Sequence, residues 1–223
     1  MNYHLNHAVL IGRLHGDMNA VTNKNGDTFF DGTLAVQRQS GTFDYLPITI
    51  PAKLVGGEPG KTMCSMVKVT ELYGRHLRLV GELRTYNKDI PGKNRHYTVL
   101  HVQEITEETS ATDDNHVEME GVISRPPHYR ETPFGREICD FVIAVNRSCG
   151  RSAYIPCLAW GLTARRISAQ EIGTKVKLTG RFQSREYQKV LDNGEKETRT
   201  THEVSCKHVD VVEVVEECVN GSV

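Results

Sequence analysis

At 223 residues, 38% hydrophobic and with a formal net charge of -1, the chain is long enough for one large domain or two small ones and has no bulk charge that commits it to a polyanion. No apolar run approaches the roughly 20 residues of a membrane span, and Met1-Asn2-Tyr3-His4 is not a basic region leading into an apolar one, so a soluble cytoplasmic protein with no membrane contact is expected. Cys64, Cys139, Cys149, Cys157, Cys206 and Cys218 form no CxxC pair, which favours buried or incidental thiols over a zinc site or a disulfide framework.

Taken in chain order, the first element already announces a repeat. Residues 6–47 superpose without a gap on 115–156 at an offset of 109, matching Asn6 with Asn115, Gly12 with Gly121, Gly26 with Gly135, Arg38 with Arg147 and Tyr45 with Tyr154. The match returns at an offset of 99, where Leu79-Val80-Gly81 meets Leu178-Thr179-Gly180. A period near a hundred residues is too long for a solenoid unit and suits a whole small domain. The first copy, 1–105, begins with a strand at Ala8 to Ile11, turns at Asn25-Gly26 and Pro91-Gly92, and makes a long excursion from Lys53 to Tyr73 before its fourth strand. Residues 106–114 are polar and acidic, which suits an exposed linker. The second copy, 115–212, alternates at Val117, Met119 and Gly121, then gives strands at Ile138 to Val145 and Ala153 to Trp160. Leu162 to Ile172 reads as a helix stopped by Gly173, and Lys175 to Phe182 resumes strand alternation. A hairpin at Asp192-Asn193-Gly194 leads to a last strand from Glu203, and 213–223 is a short acidic tail. The order strand, strand, strand, helix, strand, strand is that of an OB-fold, so the expected fold is all-β: two tandem five-stranded Greek-key barrels, each with a short helix. The amino-terminal strands, Ala8 to Ile11 and Val117 to Glu120, are candidate edges for pairing between copies of the chain.

Charge is segregated along this plan. Lys and Arg outnumber Asp and Glu by 12 to 9 in residues 1–105 and by 15 to 12 in 115–212, while 106–114 and 213–223 carry acids alone. Catalytic signatures are missing. Val55 to Thr62 ends like a phosphate-binding P-loop but has Val where the first glycine belongs, and the ten histidines show no metal-ligand spacing. A non-enzymatic protein without cofactor or metal is expected.

The second copy carries Arg130-Glu131-Thr132-Pro133-Phe134-Gly135, then Phe141-Val142-Ile143-Ala144-Val145-Asn146, and later the run Val176 to Tyr187. These resemble the R-x-T-P-x-G turn, the strand ending after it and the fourth strand of the bacterial single-stranded DNA-binding protein (SSB) family. Single strands expose base faces, so a binder needs aromatic platforms, worth roughly 1–3 kcal/mol per base, and cations along the backbone. The resemblance places stacking aromatics at Tyr154 and Tyr187, with Trp160 open between stacking and core. Arg147, Arg151, Arg181 and Arg185 are the accompanying cations. In the first copy the matching candidates are Tyr45, Arg38, Arg84, Tyr86 and Lys88; Pro51 stands where Trp160 aligns, so the second copy is expected to dominate binding. The resemblance further implies single-stranded DNA as partner with little sequence preference, a role in replication, recombination or repair, and a place at the nucleoid. Family members with one fold per chain form tetramers, so two folds per chain imply a homodimer with four OB-folds. The family's acidic C-terminal docking peptide is absent from Glu216 to Val223. Two alternatives stand beside this reading: a primosomal replication protein N-like factor and an OB-fold protein-interaction adaptor.

Overall fold

A computed structural model describes residues 5–56, 69–90, 93–109, 112–147, 150–190 and 194–212. The P-loop-like stretch beyond Gly56, most of the 53–73 excursion, the Pro91-Gly92 turn, Asp192-Asn193 and the tail lie outside the described residues.

Each copy closes a barrel. In the first, β1 (Asn6–Thr22) pairs antiparallel with both β2 (Thr28–Gln37) and β4 (Leu77–Ile90). β3 (Phe43–Pro51) pairs with β2 and, in parallel, with β5 (Lys93–Glu107), which returns to β4. The second repeats the circuit: β6 (Asp114–Ile123) with β8 (Glu137–Asn146) and β10 (Lys175–Val190), β8 with β9 (Ser152–Trp160), and β11 (Lys196–Val211) closing between β9 and β10. These are the two tandem OB-folds read from the sequence.

Period-two alternation fills the interiors. Leu10, Phe30, Leu34, Leu46, Ile48, Leu79, Leu83 and Leu100 are buried in the first barrel, and Met119, Ile143, Ile155, Leu178, Phe182 and Val204 in the second. The repeated glycines mark places where a strand crosses another too closely for a side chain. A Cβ on Gly12 would lie 2.3 Å from the Ala35 carbonyl oxygen, and one on Gly121 2.8 Å from that of Ala144. Cys139, Cys157 and Cys206 are free and buried; burial pushes the Cys139 thiol up to about 11.

The copies depart from one another at their second corner. β1 runs on to pair with β2, bending at Gly16 (φ 68°), and its register shifts between His15 and Asn19. In the second copy Pro126-Pro127 ends the strand, since proline cannot donate to a ladder, and a separate β7 (His128–Glu131) pairs with β8. The helix α1 (Gly161–Ser168) is shorter than the expected Leu162–Ile172; Gly173, at φ 95°, instead turns the chain into β10 and donates its N–H to Ile123 O.

The candidate edges do pair, but with each other inside one chain. β1 and β6 run antiparallel from Asn6↔Met119 to Ile11↔Asp114, joining both barrels into one eleven-stranded sheet. Between the end of β5 and the start of β6, Asp113 holds the connector on the first barrel: its carboxylate lies 2.8 Å from His76 Nε2 and accepts the Gln37 N–H at 2.6 Å.

Candidate nucleic-acid interface

The side chains that alternate with each barrel's core point outward. On β9, Ala153, Ile155, Cys157 and Ala159 face in, which leaves Tyr154 and Trp160 on the outer face. On β10, Phe182 faces in and Arg181, Gln183, Arg185 and Tyr187 lie outside. Glu203 of β11, itself buried, takes Arg185 at 2.9 and 3.1 Å and the Gln183 amide at 3.0 Å. That pairing raises the Arg185 pKa and sets its guanidinium 5.9 Å from the Tyr187 ring centre. The indole N–H of Trp160 donates to Ser205 Oγ at 3.1 Å, while 39% of the residue stays exposed. Of the two roles left open for Trp160, then, the core is not where it sits.

On the first barrel, Arg84 and Tyr86 occupy the outer positions of β4. The side chain of Lys88 lies outside the described residues. Glu82 pairs with Arg84 and lies 3.9 Å from Arg147 of the second barrel, whose buried Nε has no hydrogen-bond partner. Arg151 is exposed on the loop that follows, its carbonyl accepting the Arg147 N–H at 2.8 Å.

The candidates are brought together across the barrels. β3 of the first barrel lies along β10 of the second: Tyr45 N–H donates to Ser184 Oγ at 3.1 Å, and His202 Nε2 donates to Tyr45 O at the same distance. Asp44, 1% exposed, accepts Arg38 Nε at 2.7 Å and the Ser184 N–H at 2.8 Å. The repeat then produces the reciprocal contact. β9 lies along β4, and Tyr154 N–H donates to Thr85 Oγ1 at 3.1 Å; Thr85 is the match of Ser184 at the offset of 99. Two grooves result. Groove one holds Tyr45 from one barrel with Arg185 and Tyr187 from the other; groove two holds Tyr154 with Arg84 and Tyr86. Tyr45, Tyr86, Tyr154 and Tyr187 are each 38–44% exposed.

Two aromatic residues escaped the sequence reading. Phe43, 44% exposed, stacks beside Tyr45 with ring centres 6.3 Å apart. Phe29 sits cross-strand from Pro51 and 5.9 Å from the His101 ring, and His101 occupies the ladder position of Ser205. The first barrel therefore has an aromatic ring in the place of Trp160, supplied by β2 instead of the third strand. A gapless alignment hides this exchange, because the ring has moved across the ladder. His101 is 9% exposed, and burial, followed by the charges of Arg84, Arg147 and Lys53, lowers its pKa from 6.5 to about 4. Among the described residues no group of His, Cys, Asp and Glu is arranged to hold a metal ion, and no helix is long and apolar enough to cross a membrane.

Comparison with known proteins agrees with this geometry. A search of curated proteins returns no match. Among solved structures, the wild-type single-stranded DNA binding protein from Thermus aquaticus superposes with a TM-score of 0.71 at 19% identity, covering 95% of this chain and 94% of that one. A deletion mutant of the same Thermus aquaticus protein also gives 0.71 at 19% identity, covering 96% of this chain and 97% of that one. At that identity the likeness establishes the shared tandem fold. The model of the single-strand binding protein family matches residues 114–212, so the second barrel belongs to the single-strand binding protein family, carried in a chain that builds its fold twice.

Proposed function

We propose that this protein binds single-stranded DNA by base stacking and phosphate contacts, without catalysis, and that its binding surface is the pair of composite grooves. The observation that carries the reading is the placement of Tyr45 beside the Ser184–Tyr187 segment and of Tyr154 beside Thr85 and Tyr86. Half-open aromatic rings and arginines on one outward surface suit bases and backbone together. Each groove draws on both barrels, so affinity does not divide by repeat, and the expectation that the second copy dominates gives way to two sites of mixed parentage. Duplex DNA buries its base faces and cannot use these rings.

Coating of single strands in replication, recombination or repair at the cytoplasmic nucleoid follows from the same chemistry. The β1–β6 seam uses both amino-terminal edges internally, so the homodimer with four OB-folds forms through other surfaces. The test is a titration against oligo-dT and a duplex of equal length, followed by Trp160 fluorescence at several salt concentrations. Quenching by oligo-dT alone, with affinity falling as salt rises, is the expected result. Equal affinity for the duplex, or no binding of either, would reject it and favour the protein-interaction adaptor.

A further inference from the structure

Groove one opens at its inner end, beside the β1–β6 seam, into a cleft of about 830 Å³ between the barrels. Arg38, Arg181, Lys207 and His208 line it. Its acids are mostly occupied: Asp44 by Arg38 and the Ser184 N–H, Asp113 by His76 and the Gln37 N–H. Asp114 is the remaining acid of the lining. Arg181 is half-buried and makes one hydrogen bond, to the neutral amide of Gln183 at 3.1 Å. Burial and the Arg38 charge lower its pKa against the opposing pull of Asp44, a carboxylate already bonded to Arg38.

The internal repeat provides a control within the same molecule. The β4–β5 and β10–β11 ladders carry the same register shift, so their positions correspond one to one. Where groove one has Arg181, groove two has Glu82; where it has Lys207 and His208, groove two has Gln103 and Glu104. Glu82 takes up Arg84 and faces Arg147, and Glu104 lies 3.9 Å from Arg78. Three basic positions on one side thus answer to two acids and an amide on the other.

We propose that the Arg181–Lys207 cleft holds the backbone phosphates of a strand passing from one barrel to the other, and that the matching end of groove two does not. This rests on the single-strand reading above. It makes the path of the strand asymmetric although the fold is nearly two-fold symmetric.

The experiment gives the cleft its counterpart's residues, Arg181→Glu with Lys207→Gln, in the full chain. Salt-dependent titrations then use oligo-dT of about 30 nucleotides, long enough to span both barrels, and of about 8, which one OB-fold accommodates. For the long oligomer the slope of log affinity against log salt falls by about 1.4, at about 0.7 per lost single-strand contact. The slope for the short one changes by less than half of that, and Gln103→Ala, at the exposed counterpart of Lys207, leaves both unchanged. Lys207→Gln alone, at an exposed side chain, lowers the long-oligomer slope by about 0.7 and guards against a folding defect. An unchanged slope for the long oligomer, or an equal loss for both lengths, overturns the crossing. Failure of the parent protein to prefer oligo-dT over duplex overturns the single-strand reading itself, so the two failures are distinguishable.

Discussion

The two inter-barrel grooves share a design and differ in what neutralises their arginines. In groove one Arg38 is locked to Asp44, a carboxylate almost wholly removed from water. In groove two the matching Arg147 has no such partner, because Ala153 stands where Asp44 would be, and the nearest acid is Glu82 at 3.9 Å. The aromatic partner has moved as well: Tyr187 lies three residues beyond the inter-barrel bond at Ser184, whereas Tyr86 lies one beyond its match, Thr85. One groove therefore anchors the second barrel's Ser184 on an ion pair within the first barrel, Asp44 accepting its N–H and Arg38 donating to its carbonyl, and the other leaves its arginine without a close carboxylate. Duplication preserved the backbone contacts and freed the side chains to specialise.

The largest effect that separates the grooves is on stability. Arg38→Ala leaves Asp44 buried without its counter-charge, and a loss of about 3 kcal/mol is expected by chemical denaturation. Arg147→Ala at the matching position leaves no buried carboxylate alone and costs under about 1 kcal/mol. Equal losses would erase the distinction.

Acid sharpens the comparison between the barrels. Folding holds His101 at a pKa of about 4, below its ordinary 6.5, so the unfolded chain takes up a proton first. Its contribution is complete above pH 6.5 and is lost as pH falls toward 4, by about 2–3 kcal/mol in all. The second barrel has Ser205 at that position, and its own acid response comes from His202, whose pKa burial also lowers. His101→Ser should therefore flatten part of the decline between pH 6.5 and 4.5, read as the difference between parent and variant denaturation curves. Parallel curves would show that His101 titrates normally.

Stacking comes next. Tyr154→Ala and Tyr187→Ala should each weaken oligo-dT binding by about 1–3 kcal/mol with little change in salt slope. Tyr45→Ala should do the same, although it lies in the other copy. Losses confined to Tyr154 and Tyr187 would restore the second copy to dominance. Glu203→Gln should have the smallest effect, about 1 kcal/mol or less in affinity, since it frees Arg185 from its carboxylate but loosens its position over Tyr187.

Much of the fold was legible because barrel strands declare themselves by alternation, and the offset of 109 fell on residues with fixed backbone tasks. Asn6 and Asn115 each clamp the fourth strand of their own barrel, with hydrogen bonds to both backbone groups of Leu83 and Phe182. Gly12 and Gly121 sit at close crossings. The arrangement of the barrels was not legible, because a repeat reports what each copy is and says nothing of how the copies meet. That Tyr45 adjoins Ser184 across 139 positions of chain is a tertiary fact. The acids Asp44 and Glu203 were missed as partners of Arg38 and Arg185 for another reason. Local charge counts treat every arginine as free, and only burial of the carboxylate reveals which are held.

The central claim, that each stacking groove is built from both barrels, is tested most directly by a double-mutant cycle on a short oligo-dT that fills one groove. Tyr45→Ala and Tyr187→Ala lie in different repeats and one groove, so their effects should depart from additivity by about 0.5 kcal/mol or more. Tyr45→Ala and Tyr86→Ala share a repeat but not a groove, and their effects should add. Additivity of the first pair together with coupling of the second would contradict the account.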